Sequence, residues 1–246
     1  MKISKLRTLW IIFLSGMYTL NTTGQSLLMQ FLGTTNRAWV DKTIHVWAQR
    51  MLKLVRVDCK IINPYKVEPH PGQPTIVMCN HSSIYDIPLS MLAFPNHSLR
   101  MLAKKELSKI PIVGKGMTAA EFPFIDRKNK RQAIKDLEVA QQLMASGILM
   151  WIAPEGTRSK DGKLGPFKKG AFITAIQSKA TIIPIGIRGA YDILPARTSQ
   201  FNIDQNAEIH IGKPIDASKF TLETKDILIQ DVFDVMQQLI SKPPTA

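Results

Sequence analysis

In the segment Asn80-His81-Ser82-Ser83-Ile84-Tyr85-Asp86 a histidine and an aspartate stand five residues apart. An imidazole that donates from one ring nitrogen to a carboxylate keeps the other nitrogen free to take a proton, and the carboxylate stabilises the imidazolium as it forms. Five steps along a regular α-helix turn a side chain to about 140° from the first, so one helical face cannot bring His81 and Asp86 together. A strand that ends and turns into a helix can. Ser82 and Ser83 are candidate nucleophiles, but only the neighbouring His81 could activate them and its ring need not point their way, which disfavours a covalent route through serine.

Three further segments carry residues suited to an anionic ligand. Phe124-Ile125-Asp126-Arg127 delivers an arginine after an apolar pair. Pro154-Glu155-Gly156-Thr157-Arg158 combines a glycine, which permits a tight turn or a close backbone approach, with a guanidinium whose planar fork matches phosphate. Ile182-Ile183-Pro184-Ile185 is an apolar run whose proline predicts an edge or irregular strand position.

The elements that must position these groups follow from hydrophobic pattern. Thr75–Cys79, bounded by Pro74 and Asn80, reads as a buried strand, and 99–103, 148–152, 182–187 and 208–211 are further strand candidates. Arg131–Ser146 repeats apolar residues at helical spacing and meets Gly147, a plausible stop; 165–179 and 225–241 are also helical. A loop with Pro64, Pro69, Pro71 and Pro74 precedes the first buried strand. Strands alternating with helices predict an α/β domain over residues 57–246, with a mixed, mostly parallel sheet flanked by helices.

Residues 1–56 read as a membrane-associating helical segment. No charged side chain occurs from Thr8 to Asn36, but Asn21-Thr22-Thr23-Gly24-Gln25-Ser26 interrupts the run, which predicts two short apolar pieces, Leu9–Leu20 and Leu27–Leu32. Lys2, Lys5 and Arg7 before the run and Arg37 and Lys42 after it give no sidedness, so a segment that enters the bilayer and returns fits better than a crossing. Between Arg37 and Arg56, Val40, Ile44, Trp47, Met51, Leu54 and Val55 make one helical face with basic residues around it, the pattern of a helix lying on a membrane. A cleaved secretory leader is disfavoured because no A-x-A-like site follows the apolar run.

The 246 residues carry a formal charge of +13, and between Arg100 and Lys135 ten basic side chains face three acidic ones. Such clustering favours an anionic partner: a lipid surface, a phosphorylated substrate or nucleic acid. Nucleic acid is disfavoured because only Phe122 and Phe124 interleave with that basic stretch. Cys59 and Cys79 lie in no CxxC and read as core thiols, and the five histidines show no metal-ligand spacing.

Taken in order, Asn80-His81-(x)4-Asp86, Phe124–Arg127, Pro154–Arg158 and Ile183-Pro184-Ile185 resemble the four motifs of the glycerolipid acyltransferase superfamily, most of all its bacterial 1-acylglycerol-3-phosphate acyltransferases. Ala103–Leu107 and Pro111…Gly114 resemble the family's segment between the first two motifs. Two positions depart from it: Ala153 replaces a frequent aromatic, and Glu121 stands where glycine is common. The resemblance implies an O-acyltransferase in which His81 is the general base and Asp86 orients it. It implies phosphate binding by Arg127, Gly156 and Arg158, helped by Lys104, with Glu155 holding either the site or the acceptor. It implies a lysophospholipid acceptor and an acyl-CoA or acyl-carrier-protein donor as co-substrate, no metal or bound cofactor, and a place on the cytoplasmic face of a membrane, among anionic lipids. Lys128, Lys130 and Arg131 would then meet the membrane or a carrier protein. An acceptor with another headgroup, an aminolipid, or a non-catalytic lipid-binding role are the competing readings.

Overall fold

In the computed structural model, residues 3–70 and 72–241 are described. Met1, Lys2, Pro71 and residues 242–246 lie outside them. The chain runs α1 (Lys5–Phe31), α2 (Arg37–Leu54), β1 (Asp58–Ile62), β2 (Thr75–Cys79), α3 (Asp86–Ala93), β3 (Leu99–Met101), β4 (Ala103–Lys104), α4 (Val113–Ala119), β5 (Phe124–Ile125), α5 (Lys130–Ala145), β6 (Leu149–Ile152), α6 (Lys169–Gln177), β7 (Thr181–Arg188), α7 (Ala190–Ile193), β8 (Asn206–Ile211), β9 (Ile215–Asp216) and α8 (Lys225–Ser241), with single 3₁₀ turns at Lys105–Lys109 and Ala217–Lys219.

The main sheet has the order β1-β8-β7-β2-β6-β3, with β9 beside β7, and β4 and β5 form a separate pair. β2 pairs in parallel with both β6 and β7, β1 pairs in parallel with β8, and β7 pairs antiparallel with β8 and β9. This is the mixed, mostly parallel sheet expected. Its central strands are buried on both faces, which is why β2, β6 and β7 read as continuous apolar runs. Alternate residues of β2 serve opposite layers. Val77 and Cys79 join Val40, Ile44, Leu52 and Leu89 of α2 and α3, while Ile76 and Met78 join Met144, Phe172, Leu228 and Val232 of α5, α6 and α8.

Pro184 does not mark an edge, because β7 is central. Its carbonyl accepts from Gly212 N at 2.9 Å on the β8–β9 side, so its missing N–H faces the same side. There β9 pairs with Thr181 and Ile182, and β8 pairs from Ile185 onward. The proline occupies the gap between the two partners, where no donor is needed.

The two apolar pieces expected near the amino terminus are one helix. The polar side chains at its middle bond to the backbone one turn back: Thr19 to Ser15 O (2.8 Å), Thr23 to Thr19 O (2.8 Å) and Ser26 to Thr22 O (3.1 Å). Gln25 donates to Asn21 Oδ1 at 3.0 Å, so the polar stretch satisfies itself without breaking the helix. Among the described residues no helix is long and apolar enough to cross a membrane. The apolar face of α2 turns inward: Val40, Ile44, Ala48, Leu52 and Val55 belong to the same core as the sheet. α1 carries a run of exposed apolar side chains, among them Leu9, Trp10, Phe13, Met17 and Phe31.

Candidate active site

β2 ends at Cys79, and the next side chain fixes that end. Asn80 donates to Ile187 O (2.9 Å) and accepts from Ile187 N (2.7 Å), holding the end of β2 against β7. The chain then turns through residues 81–85 and enters α3 at Asp86. The turn expected from the five-residue spacing therefore forms, and it brings His81 Nδ1 to 2.9 Å from Asp86 Oδ2. The same oxygen accepts the backbone N–H groups of Ser82 (2.7 Å) and Ser83 (2.8 Å). Asp86 is fully buried. A carboxylate oxygen can only accept, so Nδ1 carries the ring proton and Nε2 presents its lone pair. Among the described residues Nε2 has no hydrogen-bond partner, and the imidazole remains 17% exposed. An imidazole held in this way can take a proton at Nε2 from a group entering from solvent or lipid.

The backbone of His81 is held by the loop that follows β6. Parallel pairing of Val77 with Trp151 brings the ends of β2 and β6 side by side, so Pro154–Arg158 runs past His81. Glu155 Oε1 accepts His81 N at 2.8 Å, and Ser159 N donates to His81 O at 2.7 Å. The other oxygen, Oε2, accepts Gly165 N at 2.8 Å. Both Glu155 oxygens are thus taken by backbone, which assigns it to holding the loop rather than reaching outward. Burial pushes its carboxyl above the usual range, and the two N–H donors and the nearby imidazole offset part of that rise.

Trp151 supports the imidazole from the sheet: the rings meet edge to face at 5.6 Å and 83°. Its indole donates to Ser90 Oγ (2.8 Å), which donates to Asp86 O (2.7 Å). Trp151, Ser90 and Ser159 were not singled out by sequence. Ser90 sits one helical turn after Asp86, a local signal, whereas Trp151 and Ser159 reach His81 only through the register of β2 against β6, which is not visible before the strand order is known. Ser83 Oγ donates to Leu194 O at 2.8 Å and is fully buried, so that hydroxyl is structural.

The cationic residues lie to one side. Arg127, just past β5, donates to Gly156 O. It pairs with neither Asp126, held by Lys105 at 3.0 Å, nor Glu121, held by Arg37 at 2.5 Å. Gly156 sits at φ 71, where a side chain would be strained and an added Cβ would lie 3.3 Å from Lys168 Cγ. Arg158 is half-buried and, among the described residues, its side chain makes no hydrogen bond or ion pair. Lys104 joins the region through the backbone: β4 pairs in parallel with β5, opposite Ile125, and the lysine is exposed. The structure therefore joins His81, Asp86 and Glu155 directly and Arg127 with Gly156. It leaves the side chains of Arg158 and Lys104 without partners among the described residues.

Comparison with known proteins follows this geometry. Residues 58–188 match the Acyltransferase family model. The chain is 30% identical over 190 residues to 1-acyl-sn-glycerol-3-phosphate acyltransferase alpha of Mus musculus, covering 74% of this chain and 66% of that protein. It is 33% identical over 151 residues to the chloroplastic enzyme LPAT1 of Arabidopsis thaliana, covering 61% of this chain and 42% of that protein. The crystal structure of the 1-acyl-sn-glycerophosphate acyltransferase PlsC from Thermotoga maritima superimposes with a TM-score of 0.78 at 27% identity, covering 95% of this chain and 92% of that one. The chain spans between about two fifths and two thirds of the length of these curated relatives. Fold, site geometry and the family match agree: the chain belongs to the acyltransferase family.

Proposed function

We propose that this protein transfers a fatty acyl group from acyl-CoA or acyl-carrier protein to the free sn-2 hydroxyl of lysophosphatidic acid, giving phosphatidic acid. The observation that carries the reading is the 2.9 Å contact between His81 Nδ1 and buried Asp86, with Nε2 unpartnered among the described residues. Nε2 takes the hydroxyl proton as the oxygen attacks the thioester carbonyl. The tetrahedral oxyanion collapses, the C–S bond breaks, and the thiolate leaves and takes up the proton. A thioester arrives activated, so the step as written calls on no metal or prosthetic group. General-base catalysis contributes about 10²–10⁴-fold, and holding two substrates together can add on the order of 7–11 kcal/mol.

Arg127, Arg158 and the turn at Gly156, with Lys104 beside them, are proposed to bind the acceptor phosphate. The relatives' names support that acceptor, and so does an arginine with no ion pair next to the imidazole-holding loop. Residues 1–56 are proposed to dock the 57–246 acyltransferase domain on the cytoplasmic face of a membrane rich in anionic lipid, the bacterial inner membrane in a bacterium. The outward apolar side chains of α1 support that role.

The test supplies purified protein with radiolabelled acyl-CoA or acyl-carrier protein and lysophosphatidic acid in mixed micelles. Labelled phosphatidic acid is expected with at least one donor. Its absence with both sinks the assignment.

A further inference from the structure

Glu121 occupies a backbone position that disfavours it. Its φ is 63, in the left-handed region, where glycine is relaxed and a side chain is not. The side chain is nevertheless engaged: Arg37 Nε reaches Glu121 Oε2 at 2.8 Å and Arg37 Nη2 reaches Oε1 at 2.5 Å. The same guanidinium donates to Ser146 O (2.6 Å) and Ser146 Oγ (3.1 Å). The hydrogen bond between the two outweighs the burial that opposes both charges, lowering the Glu121 pKa and raising that of Arg37.

Arg37 opens α2, and Glu121 and Ser146 bracket the stretch that holds β5, Arg127 and α5. One turn further along α2, Asp41 pairs with buried Arg100 at 2.7 Å, and Arg100 Nε donates to Ala120 O at 2.6 Å. The start of α2 therefore grips Glu121 directly and the preceding Ala120 through Arg100. From that grip the chain has six steps to Arg127, pinned on the way by Ala103 N to Pro123 O (2.9 Å) and by the pairing of β5 with β4.

We propose that Arg37 and Glu121 form a latch that positions Arg127 for the acceptor phosphate, coupling the helical pair at the amino terminus to the anion-binding arm. The latch rests on the reading of Arg127 as an acceptor ligand. Glu121 holds a left-handed backbone position that glycine would fill without strain, and its side chain gives the arm a fixed origin. Neither residue touches substrate; both act through Arg127.

The test compares Glu121→Gly, which relieves the backbone strain while opening the latch, with Arg37→Gln and with the exchanged pair Arg37→Glu/Glu121→Arg. Initial rates are measured against acceptor and donor separately, and amide exchange is followed over residues 122–127 and 76–81. Each single variant is expected to raise the acceptor KM about 5–30-fold with donor KM and kcat near wild type, and to speed exchange in 122–127 but not in 76–81. The exchanged pair is expected to recover most of the acceptor KM. Unchanged acceptor KM in Glu121→Gly overturns the latch, as does an equal rise in both KM values, which marks general damage. If wild type makes no phosphatidic acid, the acceptor reading falls, and unaltered exchange over 122–127 then overturns the latch as well.

Discussion

Around His81 the backbone, Asp86 Oδ2 and both Glu155 oxygens are engaged within the fold, with buried Asp86 Oδ1 and the Tyr85 hydroxyl left unpartnered among the described residues, whereas the side chains of Arg158 and Lys104 make no hydrogen bond or ion pair at all among those residues. Asp86 Oδ2 accepts three hydrogen bonds, Glu155 accepts two, and the His81 backbone is held at both its N–H and its carbonyl. The first region is pre-organised, so its groups do not need to rearrange when charge develops. The second is left short of partners, as a site is when the ligand supplies the missing acceptors. On the proposed function, the reaction centre and the phosphate-binding surface share one loop, Pro154–Arg158, in which Glu155 is held by backbone N–H groups and the half-buried Arg158 has no partner among the described residues.

The sharpest way to break this contrast is at the pre-organised side. His81→Ala is expected to lower kcat by about 10²–10⁴-fold or more while leaving acceptor KM within a small factor. Asp86→Asn is expected to approach the same loss, since an amide facing Nδ1 misorients the ring and its tautomer. Turnover assays on folded variants, checked by circular dichroism, decide it; most activity surviving His81→Ala removes the general-base role. On the open side, if Arg158 binds the acceptor phosphate as proposed, Arg158→Ala forfeits hydrogen bonds to a charged group, each about 1.5–3 kcal/mol, so acceptor KM is expected to rise about 10–100-fold with a smaller change in kcat. If kcat falls instead and KM stays, Arg158 belongs to the reaction centre and the division is wrong.

A related contrast separates α1 from α2. Both were expected to meet the membrane, but the apolar face of α2 is covered by the sheet and α3, and that of α1 is open. Deleting residues 1–56 would uncover the core, so point changes discriminate better. Phe13→Ser is expected to weaken binding to anionic vesicles by about 10-fold or more, from about 1.5–3 kcal/mol of lost apolar burial, without lowering the melting temperature. Val40→Ser is expected to destabilise the fold instead. Vesicle co-sedimentation beside thermal melts separates the two outcomes, and undiminished binding by Phe13→Ser removes α1 as the docking face.

Much of this was legible because it is local. The buried strand at 75–79, the strand-to-helix turn required by the His81–Asp86 spacing, and the helix stopped at Gly147, which takes φ 95, all depend on neighbours in sequence. The helix expected at 165–179 begins only at Lys169, because Gly165 is instead held by Glu155. What was hidden depends on partners far along the chain. β1 alternates half-buried and exposed residues at the sheet edge and gives no apolar run. The central place of Pro184 requires knowing that two different strands share one side of β7. The Arg37–Glu121 pair joins positions 84 residues apart, which no periodicity reveals.

The smallest expected effect probes how the shared loop is held. The buried Glu155 carboxyl titrates above the ordinary glutamate range because burial disfavours its charge. At pH values between the unfolded and the raised folded pKa, the folded protein holds more protons than the unfolded chain. Stability attributable to Glu155 is therefore fully present below the unfolded value and is lost as pH rises through the folded one. Urea unfolding of wild type is expected to show that decline across the window, and Glu155→Gln, which cannot titrate, is expected to lack it. The substituted amide also turns its N–H₂ group towards one of the two backbone donors, His81 N or Gly165 N, which lowers stability by about 1–3 kcal/mol at acid pH. The two unfolding curves should converge as pH rises. Parallel curves across the window would mean that the His81 and Gly165 hydrogen bonds fully offset burial, and curves that diverge as pH rises would mean that they outweigh it and that charge holds the inward half of the loop.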